Sequence, residues 1–103
     1  MNKNSLFEST GIKMKVIQEI LQLAKTNSVK KVVLFGSRAR GDYKERSDID
    51  LAFQGGNSSR FILDVDEETS TLLEFDTIDL DKPVREELLD SIKREGILLY
   101  EKI

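Results

Sequence analysis

The chain has 103 residues, a formal net charge of −3 and a pI near 5.0. It contains no cysteine and no histidine, which excludes disulfides, thiolate chemistry, finger-type structural zinc and the commonest general base. Any catalysis must therefore use carboxylates, for which a hard cation such as Mg²⁺ is the natural partner. This length predicts a single domain that spans residues 1–103.

Hydropathy and charge argue against membrane and nucleic-acid partners. No apolar run approaches the ~20 residues that a helix needs to cross a bilayer. Residues 1–10 lack the apolar centre of a signal peptide, which predicts a cytoplasmic protein. The acidic balance argues against direct nucleic-acid binding, because such partners select a strongly basic face.

The first half of the chain predicts a helix followed by two strands. Residues 11–28 carry apolar side chains at helical spacing, with Thr10 as a candidate N-cap. Residues 30–36 contain a short apolar run that ends in glycine, which is typical of a central strand covered on both faces. Residues 47–56 alternate between polar and apolar side chains, which predicts a half-buried strand that ends in a Gly-Gly loop.

The second half predicts two more helices and a third strand. Residues 58–72 are interpreted as a short helix, and residues 72–80 alternate like a strand. Residues 81–96 predict a helix with Pro83 in its first turn and Gly96 at its end, and the last seven residues form a short strand or an extended tail. The order of these elements predicts an α/β fold in which helices pack on a small mixed β-sheet.

Two alternating aspartates, Asp48 and Asp50, provide the first candidate chemistry. On a strand they project from the same face, with Cα atoms about 6.5 Å apart at ~3.3 Å per residue. Two carboxylates on one face repel each other unless a cation lies between them, so this spacing suits one or two Mg²⁺ ions. A bare Asp-x-Asp is more often only an acidic strand face, so the preceding residues decide the interpretation.

The preceding segment supplies a candidate phosphate-binding turn. Gly36 allows the backbone to turn sharply and to approach a ligand closely. Ser37 adds a hydroxyl and a backbone N–H at the start of a helical turn. Arg38 and Arg40 can reach phosphate oxygens, although at helical spacing both need not face the ligand. Ten residues separate Ser37 from Asp48, so the chain can return on a neighbouring strand and place turn and carboxylate across a small cleft.

The stretch GSRARGDYKERSDIDL resembles the signature of the minimal nucleotidyltransferases, members of the DNA polymerase β-like nucleotidyltransferase superfamily. Their pattern of glycine, serine, ten residues and aspartate-x-aspartate is complete here, from Gly36 to Asp50. The resemblance implies a palm-like nucleotidyltransferase core with a third carboxylate on a following strand. In EFDTIDL the best match is Asp76, although Thr77 stands where an apolar residue is more usual. Asp79 is the rival, on the opposite face of that strand.

The resemblance also implies a chemistry. Two Mg²⁺ ions held by Asp48, Asp50 and Asp76 would clamp the triphosphate of ATP and activate an attacking hydroxyl. Asp76 could help to remove the proton of that hydroxyl. The products would be an AMP ester and pyrophosphate. The nucleotide-binding residues expected from the match are Gly36, Ser37, Arg38 and Arg40.

The resemblance extends to a partner and an acceptor. Minimal nucleotidyltransferases are similar to antitoxins that transfer AMP to a tyrosine of a helical HEPN-domain ribonuclease toxin. We therefore expect a HEPN toxin as the partner, which would also supply the walls that this short chain lacks. Two alternatives stay open: a nucleotidyltransferase that modifies a small molecule, and a module without turnover that neutralises its partner by contact. A glycosyltransferase-type Asp-x-Asp fits less well, because it does not explain the Gly36-Ser37 turn at its fixed spacing.

Overall fold

Helices and short strands follow each other along residues 7–102, which are the residues that the computed structural model describes. The elements are, in chain order, α1 (Met14–Thr26), β1 (Lys31–Phe35), α2 (Gly36–Arg40), β2 (Ile49–Gln54), α3 (Ser58–Glu68), β3 (Phe75–Asp79), α4 (Glu86–Glu95) and β4 (Ile97–Glu101). Residues 1–6, part of the segment compared with a signal peptide, and Ile103 of the predicted last strand lie outside this range. Within it, no helix has the length and apolar character to span a membrane.

The four strands form one mixed sheet in the order β3-β2-β1-β4. β1 pairs antiparallel with β2 and β4, and β2 pairs parallel with β3 through the crossover helix α3. β1 and β2 are therefore the inner strands. Successive side chains of β1 are buried in core clusters on opposite faces of the sheet, which explains its continuous apolar run. The predicted α/β fold with a small mixed sheet is confirmed, with the short helix α2 inserted directly after β1.

The two faces of the sheet are covered unequally. One face packs against α1 and α3 through the larger core cluster, in which the rings of Phe53 and Phe61 meet edge to face with centroids 5.0 Å apart. The other face has a smaller cluster, contributed by β1, β2 and α4, of Val33, Phe35, Ala52 and Ile92. Because α4 covers only part of this second face, the opposite end of that face can present polar side chains.

Three local predictions are wrong. The cap position of α1 falls at Lys13, and Thr10 instead closes the preceding turn by donating its hydroxyl to the carbonyl of Phe7. Pro83 precedes α4, which begins at Glu86. β2, predicted to be half-buried, is covered on both faces over most of its length, because Leu51 and Phe53 lie in the core cluster under α1 and α3 while Ala52 lies in the cluster under α4.

Ile20→Ala should lower the free energy of unfolding by about 3 kcal/mol, because Ile20 is fully buried on the α1 face and its truncation leaves a cavity. The comparison variant Leu98→Ala, at a side chain that is 50% exposed on β4, should cost no more than about 1 kcal/mol. Chemical denaturation of both variants measures the two losses. Equal losses would contradict the location of the main core.

Candidate active site

The parallel pairing of β2 with β3 brings two acidic side chains together. Asp50 and Asp76 are register partners, and both project from the sheet face on which α4 packs. Neighbouring strands lie ~4.8 Å apart, so these two side chains are adjacent. Asp79 is instead paired with Phe53 on the opposite face, and its carboxylate accepts a hydrogen bond from the backbone N–H of Asp81 at 2.9 Å. The register therefore places Asp76, rather than Asp79, beside Asp50.

Asp48 lies at the edge of this pair. It is exposed on the loop that leads into β2, two residues before Asp50. It also contributes to the wall of an open surface cleft of about 530 Å³. Among residues 7–102, no three His, Cys, Asp or Glu side chains are gathered closely enough to form a ready-made metal site. The predicted convergence of three carboxylates is thus present as the Asp50–Asp76 pair, with Asp48 nearby. The cleft is lined by Glu45, Arg46, Asp48, Leu72, Leu73 and Glu74.

Among the three carboxylates of Asp48, Asp50 and Asp76, the electrostatic surroundings act most strongly on Asp50. Burial of its carboxyl, together with the negative charges of Asp76 and Asp48, raises the pKa of Asp50 from its ordinary value of 3.8 to about 6. The positive charges of Arg40 and Arg38 oppose this shift without cancelling it. Repulsion among carboxylates is what a bound cation relieves, and carboxylate oxygens are the ligands that hard cations prefer. The chemistry of the donor set therefore fits Mg²⁺.

Gly36 lies against the carboxylate of Asp50. Phe35, the last residue of β1, pairs with Asp50, so the chain leaving β1 passes the Asp50 side chain. Gly36 has a φ of 76°, in the left-handed region, and a Cβ at this position would collide with Asp50 Oδ2. Ser37 follows in the first turn of α2 and is half-buried. The predicted turn and the predicted carboxylate are thus in direct contact.

Arg38 is buried rather than open to a ligand, which corrects its predicted role in nucleotide binding. Arg38 is 1% exposed. Its guanidinium donates to the backbone carbonyls of Thr10, Glu45 and Ser47 at 2.9, 3.1 and 3.0 Å. Each of the three guanidinium nitrogens is used in one of these bonds. Arg38 therefore has no solvent-facing surface with which to contact a phosphate.

Arg40 is exposed at the end of α2. Its guanidinium pairs with Asp42 at 3.2 Å and with Glu95 of α4 at 3.1 Å. Nothing in the sequence indicates the contact with Glu95, because the two residues are 55 positions apart. Exposed ion pairs of this kind contribute little to stability, so they can be exchanged for contacts with a ligand. The role of Arg40 in nucleotide binding stays a prediction.

Gly36→Ala should destabilise the protein more than Gly41→Ala. Both glycines have a positive φ, so each substitution costs about 1 kcal/mol in backbone strain, but only a Cβ at position 36 meets a carboxylate. The additional loss at position 36 should shrink in an Asp50→Ala background, because the colliding carboxylate is then absent. Denaturation of the single and double variants measures this coupling, and strictly additive losses would contradict the close approach.

Asp50→Asn should stabilise the metal-free protein at neutral pH. The raised pKa means that ionisation of Asp50 is less favourable in the folded chain, so the free energy of unfolding falls as the pH rises from about 4 to about 6. Allowing for solvent screening at this half-buried site, we expect a gain of about 1 kcal/mol at pH 7 that disappears near pH 4. Chemical denaturation of the parent and of Asp50→Asn between pH 4 and pH 7, in the presence of EDTA, measures this gain. A gain of the same size at both pH values would contradict the assignment.

Comparison with known proteins identifies a family and a relative that matches over part of its length. Residues 16–103 match the family model described as polymerase beta, nucleotidyltransferase. The protein named "Putative protein adenylyltransferase" from Methanocaldococcus jannaschii is 41% identical over 54 residues. These residues make up 50% of this chain and 54% of that protein, so the match spans about half the length of the relative.

Solved structures share the fold. A toxin–antitoxin structure with AMP-PNP has a TM-score of 0.67 at 21% identity, over 84% of this chain and 73% of the other. A MntA–HpeT toxin–antitoxin mutant has a TM-score of 0.66 at 18% identity, with the same coverage of 84% and 73%. A "putative nucleotidyltransferase" from Sulfolobus solfataricus has a TM-score of 0.56 at 27% identity, over 98% and 91% of the two chains. Since the family model covers most of the sequence and the fold agrees with it, the chain belongs to the polymerase beta nucleotidyltransferase family, to which the glycine-serine and aspartate-x-aspartate motif pointed.

Proposed function

We propose that this protein transfers AMP from ATP to a hydroxyl group in a Mg²⁺-dependent reaction, and that the acceptor is a tyrosine of a HEPN-domain toxin. The observation that carries the proposal is the pairing of Asp50 with Asp76 beside the Gly36-Ser37 turn. Family membership supports the reaction class. The names of similar proteins, which refer to protein adenylyltransfer and to toxin–antitoxin pairs, support the acceptor class. The second Mg²⁺ ion, the single domain and the cytoplasmic location remain predictions.

The side chains of the site have different roles in the proposed reaction. Asp48, Asp50 and Asp76 would hold Mg²⁺, which neutralises charge on the triphosphate when bound. Ser37 and the backbone at Gly36 orient the triphosphate. The acceptor oxygen attacks the α-phosphorus while Asp76, which is exposed, takes the hydroxyl proton. A P–O bond to the acceptor forms, the bond from the α-phosphorus to the oxygen bridging to the β-phosphate breaks, and pyrophosphate leaves.

The surface around the carboxylates suits an acceptor presented by another protein. The cleft beside Asp48 is open to solvent, and Leu72 on its wall is fully exposed. An exposed leucine at the rim of a polar site is a feature that a protein partner can cover on binding. The net charge of −3 favours such an acceptor over a polynucleotide, which would require a basic surface.

Incubation with labelled ATP, Mg²⁺ and the toxin encoded beside this protein should make the toxin heavier by one or more AMP units in intact mass spectrometry. Asp50→Asn should reduce transfer by about 100-fold or more, because it removes a metal-binding carboxylate. Asp79→Asn is the matched control. It makes the same chemical change on the opposite face of β3 and preserves the oxygen that accepts from Asp81, so transfer should stay near the parent level.

Other outcomes of this experiment would favour the other functions. Labelling of small hydroxyl compounds with no label on protein would favour a small-molecule nucleotidyltransferase. Protection of cells by the Asp48→Asn, Asp50→Asn double variant, with no change in toxin mass, would favour neutralisation by contact. An enzyme works substoichiometrically, whereas a contact inhibitor must occupy every toxin molecule. We therefore expect the parent to protect at well below one molecule per toxin.

A further inference from the structure

Arg38 carries its charge in the interior of the molecule, where an arginine requires partners. It is 1% exposed, and within residues 7–102 it forms no ion pair. Its donors go to backbone instead: Nε to Ser47 at 3.0 Å, Nη1 to Thr10 at 2.9 Å and Nη2 to Glu45 at 3.1 Å. One side chain on α2 thus holds two separate segments of the chain.

An aromatic ring completes the surroundings of this guanidinium. The guanidinium carbon of Arg38 lies 4.7 Å from the centre of the Tyr43 ring, at the distance of a cation–π contact. The ring in turn packs against Gly11, where a Cβ would lie 2.5 Å from its atoms. Arg38, Tyr43 and Gly11 therefore form a stack that fixes the loop of residues 42–47 against α2.

The loop held in this way leads directly to Asp48. Within the loop, the Ser47 N–H donates to the Lys44 carbonyl at 3.0 Å, and the Lys44 N–H donates to the Ser47 hydroxyl at 2.8 Å. The Ser47 carbonyl that accepts from Arg38 belongs to the planar peptide group shared with Asp48. The position of that plane limits where the Asp48 side chain can point.

We propose that Arg38 is a positioning residue for Asp48: it holds the loop of residues 42–47, and thereby the carboxylate of Asp48, in place beside Asp50. The inference rests on the proposed nucleotidyl transfer, because it assumes that Asp48 helps to hold Mg²⁺. Asp50 is already fixed by the ladders of β2, whereas Asp48 lies before the strand and lacks that support.

Arginine is suited to this task and lysine is not. The planar guanidinium presents five N–H donors in a rigid fork, so it can bond three carbonyls in different directions at once. A lysine ammonium on the same backbone position has three donors around one atom and cannot reach all three carbonyls. Arg38→Lys therefore keeps the positive charge while releasing part of the loop.

Arg38→Lys should be compared with Ile20→Val, which lowers stability at a fully buried residue of α1 and leaves the hydrogen bonds of Arg38 to the loop in place. In the metal-free protein, the amides of residues 44–48 should exchange with deuterium about tenfold faster in Arg38→Lys than in the parent. In Ile20→Val the exchange rates of these amides should equal those of the parent. In the presence of AMP-PNP, calorimetry should show Mg²⁺ binding about 10-fold weaker in Arg38→Lys. Binding of AMP-PNP without metal should not change.

A second variant, Tyr43→Leu, keeps the arginine and removes only the ring, so it should shift exchange and Mg²⁺ affinity in the same direction by about threefold. If Arg38→Lys fails to fold, the exchange rates and Mg²⁺ affinity of Tyr43→Leu test the positioning role instead. Values equal to those of Ile20→Val overturn the proposal, and so does a loosened loop with unchanged Mg²⁺ affinity. If the loop loosens and the Mg²⁺ affinity falls but the parent transfers no AMP, the positioning role stands and the proposed reaction fails.

Discussion

The register of the inner strands is the constraint on which the whole site depends. Phe35 at the end of β1 lies opposite Asp50, and Asp50 lies opposite Asp76 on β3. This one row across the sheet sets which carboxylates are neighbours, which face they occupy and where the chain turns into α2. A slip of one residue in either pairing would exchange the two faces and direct the acidic side chains into the apolar core.

The row of carboxylates has an electrostatic cost that the opposite face of the sheet offsets. Asp50 has a raised pKa because it is partly buried next to other negative charges. The main apolar core, formed by α1 and α3 with the sheet, lies on the other face and does not include these residues. Stability and chemistry are therefore supplied by different sides of one sheet, so repulsion that favours cation binding can persist in a folded protein.

The elements of the fold could be predicted from the sequence because each depends on side chains a few positions apart, as in the helical spacing of α1 and the apolar run of β1. The spacing of the motif predicted that the turn and the carboxylates face each other across a small cleft, and Gly36 is closer than that, in direct contact with the carboxylate of Asp50. The two arginines could not be distinguished in this way. Arg38 is buried by a contact with a carbonyl 28 positions away, and Arg40 pairs with a side chain 55 positions away. Such contacts are set by how loops and helices pack, which local patterns do not encode.

The contact between Gly36 and Asp50 limits how related sequences can vary. The space that a side chain would need at position 36 is occupied by the carboxylate at position 50. A larger residue at position 36 can therefore be accommodated only where the acidic side chain at position 50 is shortened or lost. The two positions are expected to covary: lineages that keep the carboxylate keep the glycine, whereas lineages that lose the carboxylate lose the collision and retain only the cost of the positive φ at position 36. A larger residue at position 36 would then mark family members in which the carboxylate at position 50 is gone.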